Sequence, residues 1–143
     1  MFDPWQFPDS IVAPDGHQSL LDERLGEMTQ GSPLSGMCSW IRNDGLSIKF
    51  HNRCGGPAIW SSDSQQVAFP IWTRFSFYDQ QIAVLHTGLR KLMLFKRGFS
   101  VLDMQAFDGK TITGVDSPVF NPTPVTFIAE TEAIKRVFGL WIL

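Results

Sequence analysis

The sequence predicts a mainly β protein built from antiparallel sheets, blade-like or sandwiched, with an extended N-terminal arm and one or two short helices. Three observations carry that expectation. From residue 37 to about residue 128, short runs of β-branched and aromatic residues alternate with turn residues. Two hairpin signals, Asn43-Asp44-Gly45 and Asp108-Gly109, lie within that stretch, where Asp and Gly tolerate the positive φ of a tight turn. Residues 46–50 alternate strictly, with Leu46, Ile48 and Phe50 on one face and Ser47 and Lys49 on the other.

The elements follow in chain order. Residues 1–18 are dense in Pro, Asp and aromatics (Phe2, Pro4, Trp5, Phe7, Pro8, Pro14). Proline at this density forbids helix, and the aromatics need apolar cover, so the segment reads as an extended arm laid on the body. Residues 19–29 place Leu20, Leu21, Leu25 and Met28 near helical spacing, with Ser19 as a cap, and predict one short helix. The turn-rich residues 30–36 end it. The domain reading is therefore one domain: arm and helix over 1–35, packed on an all-β body over 36–143. Within the body, strands are expected at 37–42, 46–50, 58–60, 66–72, 74–78, 81–86, 91–96, 99–107, 110–116, 118–120 and 125–130. The tail from 131 supports two readings. Ala133, Ile134, Val137, Phe138, Trp141 and Ile142 follow a helical stripe broken by Gly139, while 138–143 also reads as a strand. Its apolar end must pack on the sheet or join two chains, so a homo-oligomer is one expected outcome.

Composition limits the function classes. The 143 residues are 43% apolar and 18% charged, enough to bury a core without metal or disulfide staples, which excludes a disordered or collagen-like chain. No apolar run exceeds five residues, so no span across a bilayer is expected, and the start MFDPWQFPDS has no secretory pattern. The net charge of −2 hides an asymmetry: residues 1–35 carry six acids and one base, whereas 36–100 carry eight bases and three acids. The chain lacks the positive field of a nucleic-acid binder. With no secretory pattern, Cys38 and Cys54 are expected as free buried thiols in a reducing, cytoplasmic setting. Cys38, His51 and Cys54 suggest zinc, but the spacing matches no common finger and the fourth ligand is missing, so no metal and no cofactor are expected.

The segment 57–69, with Pro57, the pair Ala58-Ile59, Trp60-Ser61, Asp63 and then Val67-Ala68-Phe69, resembles one blade motif of the Tol-type, WD-repeat-like β-propellers. The resemblance implies that Trp60 wedges between sheets, that Asp63 ties a turn to its own backbone, and that Val67 and Phe69 face the core. Ser64 stands where the motif has Gly. A weaker echo at 117–127 puts Phe127 58 positions after Phe69. A propeller needs at least about four blades of some 40 residues, so the resemblance implies blade-like sheets and no closed propeller.

Reactive chemistry finds little support. There is no Gly-x-Ser-x-Gly, and His17, His51 and His86 are scattered over arm, loop and strand end. The Gly55-Gly56 pair runs into a strand, which does not form a phosphate cradle. The four glutamates avoid the β core. Arg90-Lys91 and Lys96-Arg97 bracket a strand beside Phe95 and Phe99; they suit base stacking less well than capping the ends of a buried strand or protecting an edge. A binding role without catalysis fits best. In general character the chain resembles the small bacterial immunity proteins of polymorphic toxin systems. That resemblance implies occlusion of a toxin cleft by an acidic face, with Trp5, Asp15, Asp22, Glu23 and Glu27 as the partner-binding residues. The alternatives are a β domain that binds a small ligand or carbohydrate through exposed tryptophan, and an enzyme using His51 or His86.

Overall fold

The computed structural model describes residues 2–27, 29–73 and 79–140, with the side chains of 51 and 52 outside the description. The strand expected at 74–78 and the last three residues of the tail lie outside it too. The described residues form twelve strands and no helix. They are β1 (Ser10–Val12), β2 (Gln18–Glu27), β3 (Leu34–Arg42), β4 (Ser47–Cys54), β5 (Ile59–Trp60) and β6 (Gln66–Trp72). After them come β7 (Gln80–His86), β8 (Lys91–Phe99), β9 (Leu102–Phe107), β10 (Thr111–Asp116), β11 (Thr123–Ile128) and β12 (Ile134–Gly139). The larger sheet runs β1-β2-β3-β4-β6-β7-β8-β12, with β5 folded onto β6; the smaller runs β11-β10-β9. Every pairing is antiparallel.

Both hairpin signals hold. Gly45 (φ 98°) turns β3 into β4, and Gly109 (φ 95°) turns β9 into β10. The expected alternation is present in β4 and just before it: Leu46 is buried and Ile48 and Phe50 pack against the core, while Ser47 and Lys49 are exposed.

Where a short helix is expected at 19–29, the chain forms strand β2 over Gln18–Glu27, and residue 28 lies outside the described residues. Helical spacing of four apolar residues is a local preference, and pairing on both sides overrides it. Leu20 lies opposite Ile11 of β1 and Trp40 of β3, and is fully buried between them. The sheet register shifts between Glu23 and Gly26, where Arg24 takes φ 56°. Gly36 faces that bulge: a Cβ there would stand 2.7 Å from the Glu23 carbonyl oxygen, so only glycine lets β3 come this close.

Two cores result. In the first, the larger sheet curls so that Leu20, Trp40 and Cys38 from β2 and β3 meet Val67, Phe69, Ile71, Ala83 and Leu85 from β6 and β7. The Phe50 and Phe69 rings stack across it with centroids 5.9 Å apart. The second core lies between the opposite face of β6–β8 (Ala68, Ile82, Val84, Phe95) and the smaller sheet (Met104, Ile112, Phe127). Strands β6 and β7 are therefore buried on both faces, which explains their near-continuous apolar runs. Gln80 helps join the sheets: its Oε1 accepts the Leu102 amide at 2.6 Å.

Other expectations change. Residues 99–107 do not form one strand, because the chain passes between sheets at Ser100–Val101, where Asp116 Oδ1 accepts both amides at 3.0 and 3.1 Å. Residues 118–120 form a turn rather than a strand, so the echo at 117–127 shares only the buried Val125 and Phe127 of β11 with the segment 57–69. The described part of the tail is a strand, β12, paired with β8, and each of its residues is exposed. The arm does lie on the body. Phe7 is buried with its ring against the Gly56 backbone, and the Trp5 indole N–H donates to the Gly31 carbonyl at 3.1 Å.

Candidate functional site

Of the five residues expected to face a partner, Asp15, Glu23 and Glu27 are exposed, Trp5 is half-buried and Asp22 is buried. Asp15 spends its carboxylate on its own turn, accepting from the His17 amide at 2.8 Å and from Gln18 Nε2 at 3.1 Å. Trp5 is tied to Gly31, and Glu27 accepts from the Gly31 amide at 3.3 Å. Glu23 is exposed. Asp22 is a correction: it points inward, is 1% exposed, and offers nothing to an outside partner. Of the histidines, His86 accepts the Leu89 amide on Nδ1 in the turn after β7, and His51 lies opposite Cys38 in the β3–β4 register.

The tryptophans on strands belong to the interior. Trp40 Nε1 donates to Gln18 Oε1 and Trp60 Nε1 to the Ile11 carbonyl, each at 2.9 Å. The motif turn behaves as its residues suggest. Asp63 Oδ1 accepts from Ser61 Oγ at 2.6 Å and from the Gln65 amide at 3.0 Å, and Ser64 adopts φ 62° in place of glycine. These bonds hold the Asp63 carboxyl below its ordinary range. The basic pair before Phe99 also has structural work. Arg97 donates to the Thr126 carbonyl and to Glu132, and its guanidinium lies 5.1 Å over the Phe99 ring.

A cavity of about 510 Å³ opens where β8 and β12 face β4 and the end of β6. Its floor is apolar, made by Phe50, Ile71, Trp72, Leu92 and Leu94. Among the described residues, Lys49, Lys135 and Arg136 supply its charges, and no carboxylate lines it. Lys135 is steadied by Gln81 Oε1 at 3.3 Å, and the Arg136 guanidinium lies 5.6 Å over the Phe138 ring. Trp72 is fully buried, and its indole N–H has no hydrogen-bond partner. The size lies within the range of small-molecule sites, and the pattern of an apolar body with few polar groups is that of such sites. The sequence reading missed this site because its two adjacent bases, Lys135-Arg136, sit in a tail that reads equally well as helix. Their position between Ile134 and Val137-Phe138 is the signal that was present.

The second notable group is covalent. Cys38 and Cys54 form a disulfide with Cα atoms 6.0 Å apart, which corrects the expectation of free thiols; such bonds are rare in a reducing compartment. An Asp22 carboxylate oxygen lies within 4.8 Å of both sulfur atoms. Burial pushes the Asp22 carboxyl up from 3.8 to about 7, and the charge of Asp9 adds to the rise.

No family model, curated protein or solved structure matches the chain. Among the described residues, no helix is long and apolar enough to cross a membrane.

Proposed function

We propose that the protein is a ligand-binding β domain whose cavity between β4, β6, β8 and β12 takes up an amphipathic anion, an apolar body carrying one carboxylate or sulfonate-like group. One observation carries this reading: among the described residues, three cations and no acid line a cavity with an aromatic and aliphatic floor. The apolar body of the ligand covers Phe50 and Leu94, and its charge meets Lys135 and Arg136. Burying the body supplies affinity at roughly 25 cal/mol per Å² of apolar surface, and the cations set the sign of charge accepted. The protein binds its ligand and leaves it unchanged.

The reading as a toxin-occluding immunity protein has less to stand on. Asp22, one of the five expected contacts, is buried, and Trp5, Asp15 and Glu27 each make a hydrogen bond within the chain.

Calorimetric titration with octanoate and with octanol separates charge from apolar size. The carboxylate is expected to bind about one per chain and at least about tenfold more tightly than the alcohol. Equal affinity for the two, or heat from neither, overturns the reading.

A further inference from the structure

The Cys38–Cys54 pair has a neighbour that a crosslink does not require. Asp22 lies directly opposite Cys38 in the β2–β3 register, 1% exposed, and neither of its carboxylate oxygens has a hydrogen-bond partner. A buried carboxyl group without a donor is costly, and a disulfide has no donor to offer. The two sulfur atoms and an Asp22 carboxylate oxygen converge within 4.8 Å of one another, which makes this the place where a cation could answer the carboxylate.

We propose that Cys38, Cys54 and Asp22, once the disulfide is reduced, form a binding site for a thiophilic divalent cation of the zinc class, and that the disulfide is the locked, cation-free form of the same site. Two thiolates and one carboxylate make a donor set that favours zinc over calcium or magnesium, which take oxygen ligands. Around tetrahedral zinc, sulfur at about 2.3 Å and carboxylate oxygen at about 2.1 Å stand roughly 3.6–3.8 Å from one another. The three donor atoms already lie within 4.8 Å, so small side-chain rotations suffice once the sulfur–sulfur bond is gone. The strands fix each donor. The Asp22 amide donates to the Asp9 carbonyl at 2.6 Å, Cys38 is held between β2 and β4, and Cys54 pairs with Ile71. Three protein ligands leave the fourth zinc position to water or to a further group.

The chemistry balances with a dithiol as reductant. The dithiol gives two electrons and two protons to the sulfur–sulfur bond, two thiols form, and the reductant closes to its own disulfide. Entry of the cation then releases the two thiol protons, and any proton held by Asp22, to solvent.

The test uses the full chain, reduced with dithiothreitol and moved without air into buffer containing a phosphine reductant. Cobalt(II) is the probe, because thiolate ligation gives it a charge-transfer absorption that zinc(II) then removes by displacement. The expected result is one cobalt per reduced chain, none for the oxidised chain, and protection of both thiols from a thiol reagent. Asp22→Asn is expected to weaken binding by at least about tenfold while circular dichroism shows the same strand content. Asp22→Glu, which keeps the carboxylate, retains thiolate-type absorption. If reduction unfolds the chain, the expected result becomes refolding on addition of cobalt(II). Cobalt binding that Asp22→Asn leaves unchanged, binding below one equivalent, or an unfolded reduced chain that the cation does not refold each overturns the proposal.

Discussion

The Trp60 indole N–H donates to the Ile11 carbonyl oxygen at 2.9 Å, joining the end of β5 to β1 across 49 residues of chain. A few residues on, Ser64 continues the clasp. Its Oγ accepts the Asp15 amide at 2.9 Å and its carbonyl accepts Gln18 Nε2 at 2.8 Å. The turn between β5 and β6 thus holds the N-terminal strand against the sheet. Trp60→Phe keeps an aromatic ring but leaves the Ile11 carbonyl without its donor. A loss of about 1 kcal/mol is expected in urea denaturation. Amide exchange should quicken first in β1, and a uniform change across the chain would contradict the clasp.

The cavity charges are open to reversal. Lys135→Glu with Arg136→Glu replaces two cations by two anions beside the apolar floor, at positions that are exposed on β12. Octanoate affinity is expected to fall by more than about tenfold, with stability altered by less than about 0.5 kcal/mol. Paired calorimetric and thermal melts read both quantities, and unchanged affinity would show that these side chains do not meet the anion.

Asp22 gives stability an unusual pH dependence in the disulfide-bonded protein. Its folded carboxyl titrates at about 7 against an ordinary 3.8, so between those values the folded chain holds a proton that the unfolded chain has lost. The contribution is complete below about pH 4 and disappears as the pH rises through 7. The full difference is about 4 kcal/mol. Asp44, Asp63 and Asp108, whose carboxyls are lowered by hydrogen bonds in their turns, act in the opposite sense and only at more acid pH. Denaturation midpoints at pH 5 and pH 8 should therefore fall apart in the wild type and draw together in Asp22→Asn. An equal drop in both proteins would remove Asp22 as the cause.

Gly114 marks a backbone crossing in the smaller sheet. A Cβ there would collide with the Asp103 carbonyl oxygen, at the register shift between Thr113 and Gly114. Gly114→Ala is expected to cost about 1–3 kcal/mol, whereas Gly98→Ala, at a site with nothing within 4 Å, should be close to neutral. Thermal melts of the two variants side by side test the comparison.

What could be read from the chain was what neighbours in sequence decide. Asp44-Gly45 and Asp108-Gly109 specify their turns through φ, and Leu46, Ile48 and Phe50 declare their face through a period of two. Strand β2 was hidden because Leu20, Leu21, Leu25 and Met28 satisfy a helical spacing, and only Trp40 and Ile11 on either side reveal which of them turn inward. The candidate sites were less legible for the same reason. Lys49 and Lys135 are 86 positions apart in the chain, and nothing local announces that they share a cavity. Asp22 read as one charge in an acidic arm, and the strand pairing that turns it toward Cys38 is tertiary.

One consequence concerns Cys54. It ends β4, it supplies the one register pair between β4 and β6 among the described residues, and the next amide, that of Gly55, donates to the Pro70 carbonyl at 2.9 Å. The larger sheet is therefore two leaves stitched at a narrow spine, and the sulfur bond rivets the stitch to the middle of β3. With the rivet in place the end of β4 cannot peel away. With it cut, the end of β4 loses its covalent tie to β3, so the redox state of two atoms governs how firmly that strand end, and the register pair it carries, is anchored.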